Sequence, residues 1–400
     1  MSQPDSRKPL IEIGIVAASL DAVALTAVEQ AANRLWQRLA NVMEQFEWRI
    51  AIAPCDECGS QDSVEPMTLL DLAQQQRDAR GWDFALVVTA ADLASHYKPF
   101  SFAAISSALD AAVVSTARID PRSSDLETTD EQRRDALQDR LAHLVLHCFG
   151  HWLGLAHDPD PGNVMHPIES VGDLRSDRAF TAEQLALMRS TLEDIADQRL
   201  EEQAEFRKSR RPVFYLRAAW ENRDEIRDAV LQARPWQFPI RLSRLTTAAV
   251  STVLILLMTA ETWDVASSQS GTTVVVLSLV ALGATTGYVA VRQRLLLGRD
   301  GGRLTEQIVT SNVAAVVIVA VGMLVTYALL LALALTAGWC LFPQRVLDGW
   351  VASIAKPLEA VHHLLVAGFV ASLGIIIGAL GASFEQHHYF RHVVFVDEEL

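Results

Sequence analysis

Apolar and polar positions divide this chain into two regions with different periodicities. Across roughly the first two hundred residues, short apolar runs alternate with longer stretches that are apolar at every third or fourth position. Ile11–Val16, Trp48–Ala53 and Trp82–Thr89 have the length and the β-branched or aromatic content of buried strands, while Asp21–Phe46 and Val64–Arg80 have helical spacing. Phe100–Ala104 and Ala111–Ala117 are further strand candidates, the latter at a sheet edge. A charged loop containing Pro121 leads into one long helix over Thr129–Leu155. Thr181 with Gln184 then forms a capping box, which opens a helix running to about Phe206. Strands that alternate with helices predict a layered α/β domain over residues 1–206.

Beyond that point the pattern changes. Residues 207–244 are rich in Arg and broken by Pro212, Pro235 and Pro239; they read as a helical linker and interfacial segment, with Trp236 and Phe238 suited to a membrane–water boundary. Four apolar runs follow over 245–384, near 245–263, 272–291, 312–338 and 364–384. At a rise of about 1.5 Å per residue each is long enough to cross a hydrocarbon core, the first only marginally. The expectation is an all-α transmembrane module of four helices, followed by a tail over residues 385–400.

Charge sharpens the division. Residues 1–240 carry 25 Lys and Arg against 38 Asp and Glu, whereas residues 241–400 carry 9 against 10. An acidic first domain is a poor match to a polyanion, so nucleic acid is not an expected partner. Arg234, Arg241, Arg244, Arg292, Arg294, Arg299, Arg303 and Arg391 fall on one side of the expected spans, and only Arg345 and Lys356 on the other. The positive-inside rule therefore places both termini and the first domain in the cytoplasm, with the chain a multi-pass protein of the cell (inner) membrane. The polar start of the chain does not read as a signal peptide. The spans hold almost no charge, which argues for anchoring in the bilayer rather than transport. Gly368, Gly374, Gly378 and Gly381 offer a small-residue face for helix association, including association between copies of the chain.

The candidate chemistry sits at the end of the long helix. His147 and His151 are four residues apart and share one helix face, Gly154 allows a sharp turn, and His157 returns as a third ligand. Three nitrogen ligands leave a fourth tetrahedral position open, the arrangement of a catalytic zinc rather than a structural one. His143, one turn earlier, reads as a structural histidine, with a base or ligand role as the alternative. Cys55 and Cys58 form a lone Cys-x-x-Cys that reads as a loop with incidental cysteines. His388 and His392 read as a solvated helix end.

The run His147-Cys148-Phe149-Gly150-His151-Trp152-Leu153-Gly154-Leu155-Ala156-His157 resembles the metzincin zinc peptidases, whose pattern is H-E-x-x-H-x-x-G-x-x-H followed by a Met-turn. Asn163-Val164-Met165 stands in the place of that turn. Within the metzincins it resembles the archaemetzincins most. Their pattern continues with a cysteine after the third histidine, another five residues on, and then x-Met. Here Asp158 and Asn163 replace the two cysteines and Met165 is kept. Ala112–Arg118 looks like the family's strand before the metal helix, and Glu183 and Ala186 stand where the family has its later Cys-x-x-Cys.

The resemblance covers roughly residues 10–200. It implies a metzincin-like layered domain with one Zn2+ on His147, His151 and His157, a hydrolase acting on peptides or proteins through zinc-activated water. Met165 would form an apolar floor and Asp158 would anchor the turn or orient a ligand. The family's second, cysteine-bound zinc is expected to be absent. Cys148 occupies the position of the family's catalytic glutamate, so it is the catalytic candidate with its role open: a weak base, a blocking ligand, or a small buried residue. A degenerate zinc domain that captures a peptide or partner is the alternative. A third reading is a YbeY-like metal-dependent RNA hydrolase, whose H-G-x-x-H-x-x-G-x-D-H pattern needs no such glutamate, but Ala156 replaces its aspartate.

Overall fold

In the computed structural model the expected strands and helices alternate. The structure describes residues 8–55, 62–96, 98–124, 128–175, 177–205, 223–293, 295–296, 306–351, 353, 358–382 and 387–400. Cys58 and much of the expected linker lie outside the described residues. The chain forms two units, one of residues 1–222, 298–309 and 395–400, the other of residues 223–297 and 310–394.

The first unit begins with β1 (Leu10–Ala18), α1 (Ala22–Val42), β2 (Glu47–Cys55), the short β3 (Ser63–Val64) and α2 (Pro66–Arg80). It continues through β4 (Phe84–Thr89), the short β5 (Asp92–Leu93), β6 (Ala103–Ser106), β7 (Ala111–Ser115), α3 (Asp130–Trp152) and α4 (Ala182–Glu205). A last strand, β8 (Glu398–Glu399), comes from the far end of the sequence. Asp21 caps α1, its side chain accepting from the Ala24 N–H at 2.8 Å, and Thr129 with Gln132 forms a capping box at the start of α3.

The main sheet has the order β2-β1-β4-β7-β6-β8. β1, β2, β4 and β7 run parallel, β6 is antiparallel to β7, and β8 is antiparallel to β6. The expectation that Ala111–Ala117 is a sheet edge is corrected. β7 lies inside the sheet, because the segment before it turns back at Ser107–Asp110 and pairs with it. Alternation along the strands sends Ile11, Ile13, Ile15, Leu86, Val88, Ala112 and Val114 into one apolar core with α1 and α3. α2 packs on β4 and β7. Helices against a mainly parallel sheet give the predicted α/β layering.

The second unit is helical. Among the described residues, Gly271–Arg292, Thr310–Leu341 and Ala360–Ala382 are long and apolar enough to cross a membrane, three helices where the sequence predicts four. The expected run at 245–263 does not form a single helix. Its helix stops at Leu257, Thr259 is extended, and a second helix spans Ala260–Ser267. The break is satisfied locally, with Trp263 Nε1–H donating to the Leu257 carbonyl at 2.8 Å and the Thr259 hydroxyl to that of Ile255 at 2.9 Å. Among the described residues, a fourth span is formed if Ser243–Leu257 is joined to Ala229–Arg241 across a 52° bend. The glycines read as an association face pack within the chain: a Cβ on Gly374 would stand 2.7 Å from Val253, and one on Gly378 2.9 Å from Ala249. Ser278 Oγ lies 2.7 Å from the Tyr327 hydroxyl and 3.0 Å from Ser372 Oγ, a polar contact joining the three long helices.

The stretch over 385–400 is not a separate tail. His387–Phe395 is a helix with His392 buried rather than solvated, and residues 395–400 belong to the first unit. There Leu400 enters the apolar core and β8 pairs with β6.

Candidate metal centre

α3 places His147 and His151 one turn apart near its end, and the main chain after it brings His157 back. The turn depends on Gly154, whose φ of 80° lies in the left-handed region that a side chain disfavours. The Leu155 N–H bonds to the Gly150 carbonyl at 3.0 Å, so the chain folds back along the helix end before it reaches His157.

The three rings converge. His147 Nε2 and His151 Nε2 are 3.0 Å apart, and one ligand atom from each of His147, His151 and His157 lies within 4.8 Å of the others. It is the one cluster of three or more such groups found among the described residues. His147 Nδ1 lies 2.7 Å from the carbonyl oxygen of Val164. A carbonyl only accepts, so Nδ1 carries the hydrogen and Nε2 keeps its lone pair for a metal. Burial, with the neighbouring imidazoles, pushes the pKa of His147 down to about 2 and that of His151 to about 3; burial also lowers that of His157. All three are therefore neutral rings at neutral pH, the form that binds a metal. The donor set fits zinc.

Residues after His157 brace the site. The Asp158 N–H donates to the Met165 carbonyl at 2.9 Å, and the Asp158 carboxylate accepts from the Asn163 side chain at 3.2 Å. Asn163 also donates to Gln184 at 2.9 Å, and its own side-chain oxygen accepts from the Met165 N–H at 2.8 Å. The two positions where the resembled family has cysteines are thus bonded to each other. Met165 is fully buried against the metal helix: a Cβ on Gly150 would lie 2.3 Å from its sulfur. Asp158 is thus tied to both ends of the turn, and Met165 packs under the metal helix.

Cys148 does not join the cluster. It is fully buried in the apolar core, and burial pushes its thiol well above its ordinary range. His143 is also buried and outside the cluster, its pKa lowered to about 4 by burial and by Arg178 and Arg38.

A residue the sequence reading missed faces the cluster. Glu398 of β8 places Oε2 3.5 Å from His151 Nε2 and Oε1 3.5 Å from His157 Nδ1. No local motif marks it, because the pairing that delivers it joins segments far apart in the sequence.

No protein-family model and no curated protein matches the chain. Among solved structures, the chain is similar to archaemetzincin from Methanopyrus kandleri, with 21% identity over 48% of this chain and 99% of that one and a TM-score of 0.37. It is likewise similar to a zinc-dependent peptidase from Methanocorpusculum labreanum, with 18% identity over 44% and 99% of the two chains and a TM-score of 0.35. Archaemetzincin from Archaeoglobus fulgidus, solved with malonate, gives 22% identity over 44% and 99% and a TM-score of 0.33.

Proposed function

We propose that this chain is a membrane-anchored zinc-binding protein whose first unit is of the metallopeptidase type and acts on peptides. The convergence of His147, His151 and His157, with the tautomer of His147 fixed by Val164, carries the reading. His147, His151 and His157 would hold the zinc, and Asp158, Asn163 and Met165 would keep the turn and floor in place. When bound, zinc supplies Lewis-acid activation of water. The three long apolar helices support anchoring in a bilayer. The distribution of arginines supports a cytoplasmic first unit.

The burial of Cys148 favours a second reading. A positioned general base contributes about 10²–10⁴-fold, and a thiol held neutral in an apolar core supplies none. On that reading the domain binds zinc and captures a peptide without turning it over.

The test is metal content and peptide cleavage by the full chain in detergent. About one zinc per chain, lost with His151→Ala, is the result expected of both readings. Cleavage that disappears with His151→Ala establishes the peptidase, whereas zinc-dependent peptide binding without cleavage establishes capture. Absence of bound zinc overturns both, as does cleavage of RNA in place of peptides.

A further inference from the structure

We propose that Glu398 is the fourth ligand of the metal in the resting chain, a ligand that the water or peptide of the reading above must displace. The inference rests on the zinc reading above and extends it to a residue outside the histidine motif.

The observations begin with the backbone. β8 adds to β6 as an extra strand, and the pairing continues past its two residues. The Asp397 N–H bonds to the Ile105 carbonyl at 2.9 Å, the Leu400 N–H to that of Ala103 at 2.9 Å, and the Phe102 N–H to that of Leu400 at 2.6 Å. Side chains fix the register on both flanks. The Ser107 N–H donates to the Asp397 carboxylate at 2.6 Å, while the Glu399 carboxylate accepts from the Ser95 hydroxyl at 2.6 Å and the His96 N–H at 3.0 Å. With three acidic side chains in a row, strand alternation decides which one meets the histidines. Glu398 shares its face with Leu400, which enters the core that contains α3, and Glu399 points the other way, toward Ser95 and His96.

The distances suit a ligand role for the carboxylate. Zinc binds nitrogen and oxygen at about 2.0–2.2 Å, so neighbouring ligands of a tetrahedral ion lie roughly 3.3–3.5 Å apart. Glu398 Oε2 stands 3.5 Å from His151 Nε2 and Oε1 stands 3.5 Å from His157 Nδ1, so each oxygen is at that spacing from one of the two histidines. The histidines supply three neutral donors, and a carboxylate completes the set with the charge a divalent cation favours. Addition of a strand to a sheet edge, with one side chain inserted beside the edge, is also how extended peptides are recognised.

The test uses the full chain in detergent, stripped of metal and reloaded with cobalt(II), whose visible spectrum reports its coordination. Acetohydroxamate, a small chelating anion, probes the fourth position. Glu398→Gln, which keeps the backbone pairing, is expected to tighten acetohydroxamate binding by about tenfold or more and to weaken cobalt binding by about tenfold. Glu398→Asp keeps the charge but withdraws the carboxylate, and is expected to behave like Glu398→Gln. Equal cobalt and acetohydroxamate affinities in parent and Glu398→Gln would overturn the ligand role of Glu398, as would an Asp variant that behaves like the parent. His151→Ala tests the underlying reading separately: cobalt binding that survives it unchanged removes the metal site, and Glu398 with it.

Discussion

The carbonyl oxygen of Val164 accepts a hydrogen bond from His147 Nδ1 at 2.7 Å, so the main chain of the turn after the third histidine sets the tautomer of the first. Asn163 holds that carbonyl in place through its bonds to Met165, Asp158 and Gln184. Asn163→Ala is therefore expected to lower zinc affinity by about 10–100-fold while leaving all three histidines intact. Equilibrium competition with a chromogenic chelator measures it, and an unchanged zinc affinity would show that the turn does not govern the ligand.

Gly150 is the point where the metal helix admits Met165. Adding a methyl there sets it against the buried sulfur at 2.3 Å, and overpacking of this kind costs about 1–3 kcal/mol. Gly150→Ala should lower the urea midpoint of zinc release. The same substitution in a Met165→Ala background should cost much less, because the two residues share one space. Equal costs in both backgrounds would separate the two positions.

Cys148 is expected to resist alkylation by iodoacetamide in the folded chain and to react only after denaturation, since it is fully buried with its thiol held protonated. Peptide mapping by mass spectrometry distinguishes the two states. Rapid modification of the native protein would place the thiol in the site rather than the core.

Asp21 gives the first unit a pH dependence with a definite sign. Burial raises its pKa, but hydrogen bonds from Arg133 and the Ala24 N–H outweigh it and hold the carboxylate below its ordinary 3.8. A depressed folded pKa means that the stabilisation is present above the unfolded value and is lost as pH falls through the folded one. Asp21→Asn keeps a capping oxygen and removes the charge. Its destabilisation, at most about 1 kcal/mol for a half-exposed carboxylate, should therefore appear above about pH 4 and vanish in stronger acid. Unfolding midpoints of parent and variant across pH 2–7 measure the difference; a gap that widens toward acid would reverse the assignment.

The histidine cluster was legible because its geometry is local. A helical repeat of four residues, one glycine turn and a returning histidine are written in eleven consecutive positions. The strands of the α/β layer were legible for the same reason, as short apolar runs between helical ones. The errors fall where distant partners decide. Ala111–Ser115 is equally apolar at an edge or inside a sheet, and only pairing with β6 settles which. The break after Leu257 depends on Trp263 reaching back to a carbonyl, which apolar content alone does not encode. Glu398 lies in a stretch that reads as a tail until its backbone pairs with Ile105.

The position of β8 in the chain sets a clock on assembly. Every other strand of the sheet is made before the three long apolar helices, and β8 only after them. At about 5–20 residues per second, the interval between β7 and β8 is on the order of half a minute. During that time the edge of β6 has no strand beside it and the histidines have no carboxylate facing them. Translation order thus brings the Glu398 carboxylate to the three histidines only after the long apolar helices have been synthesised.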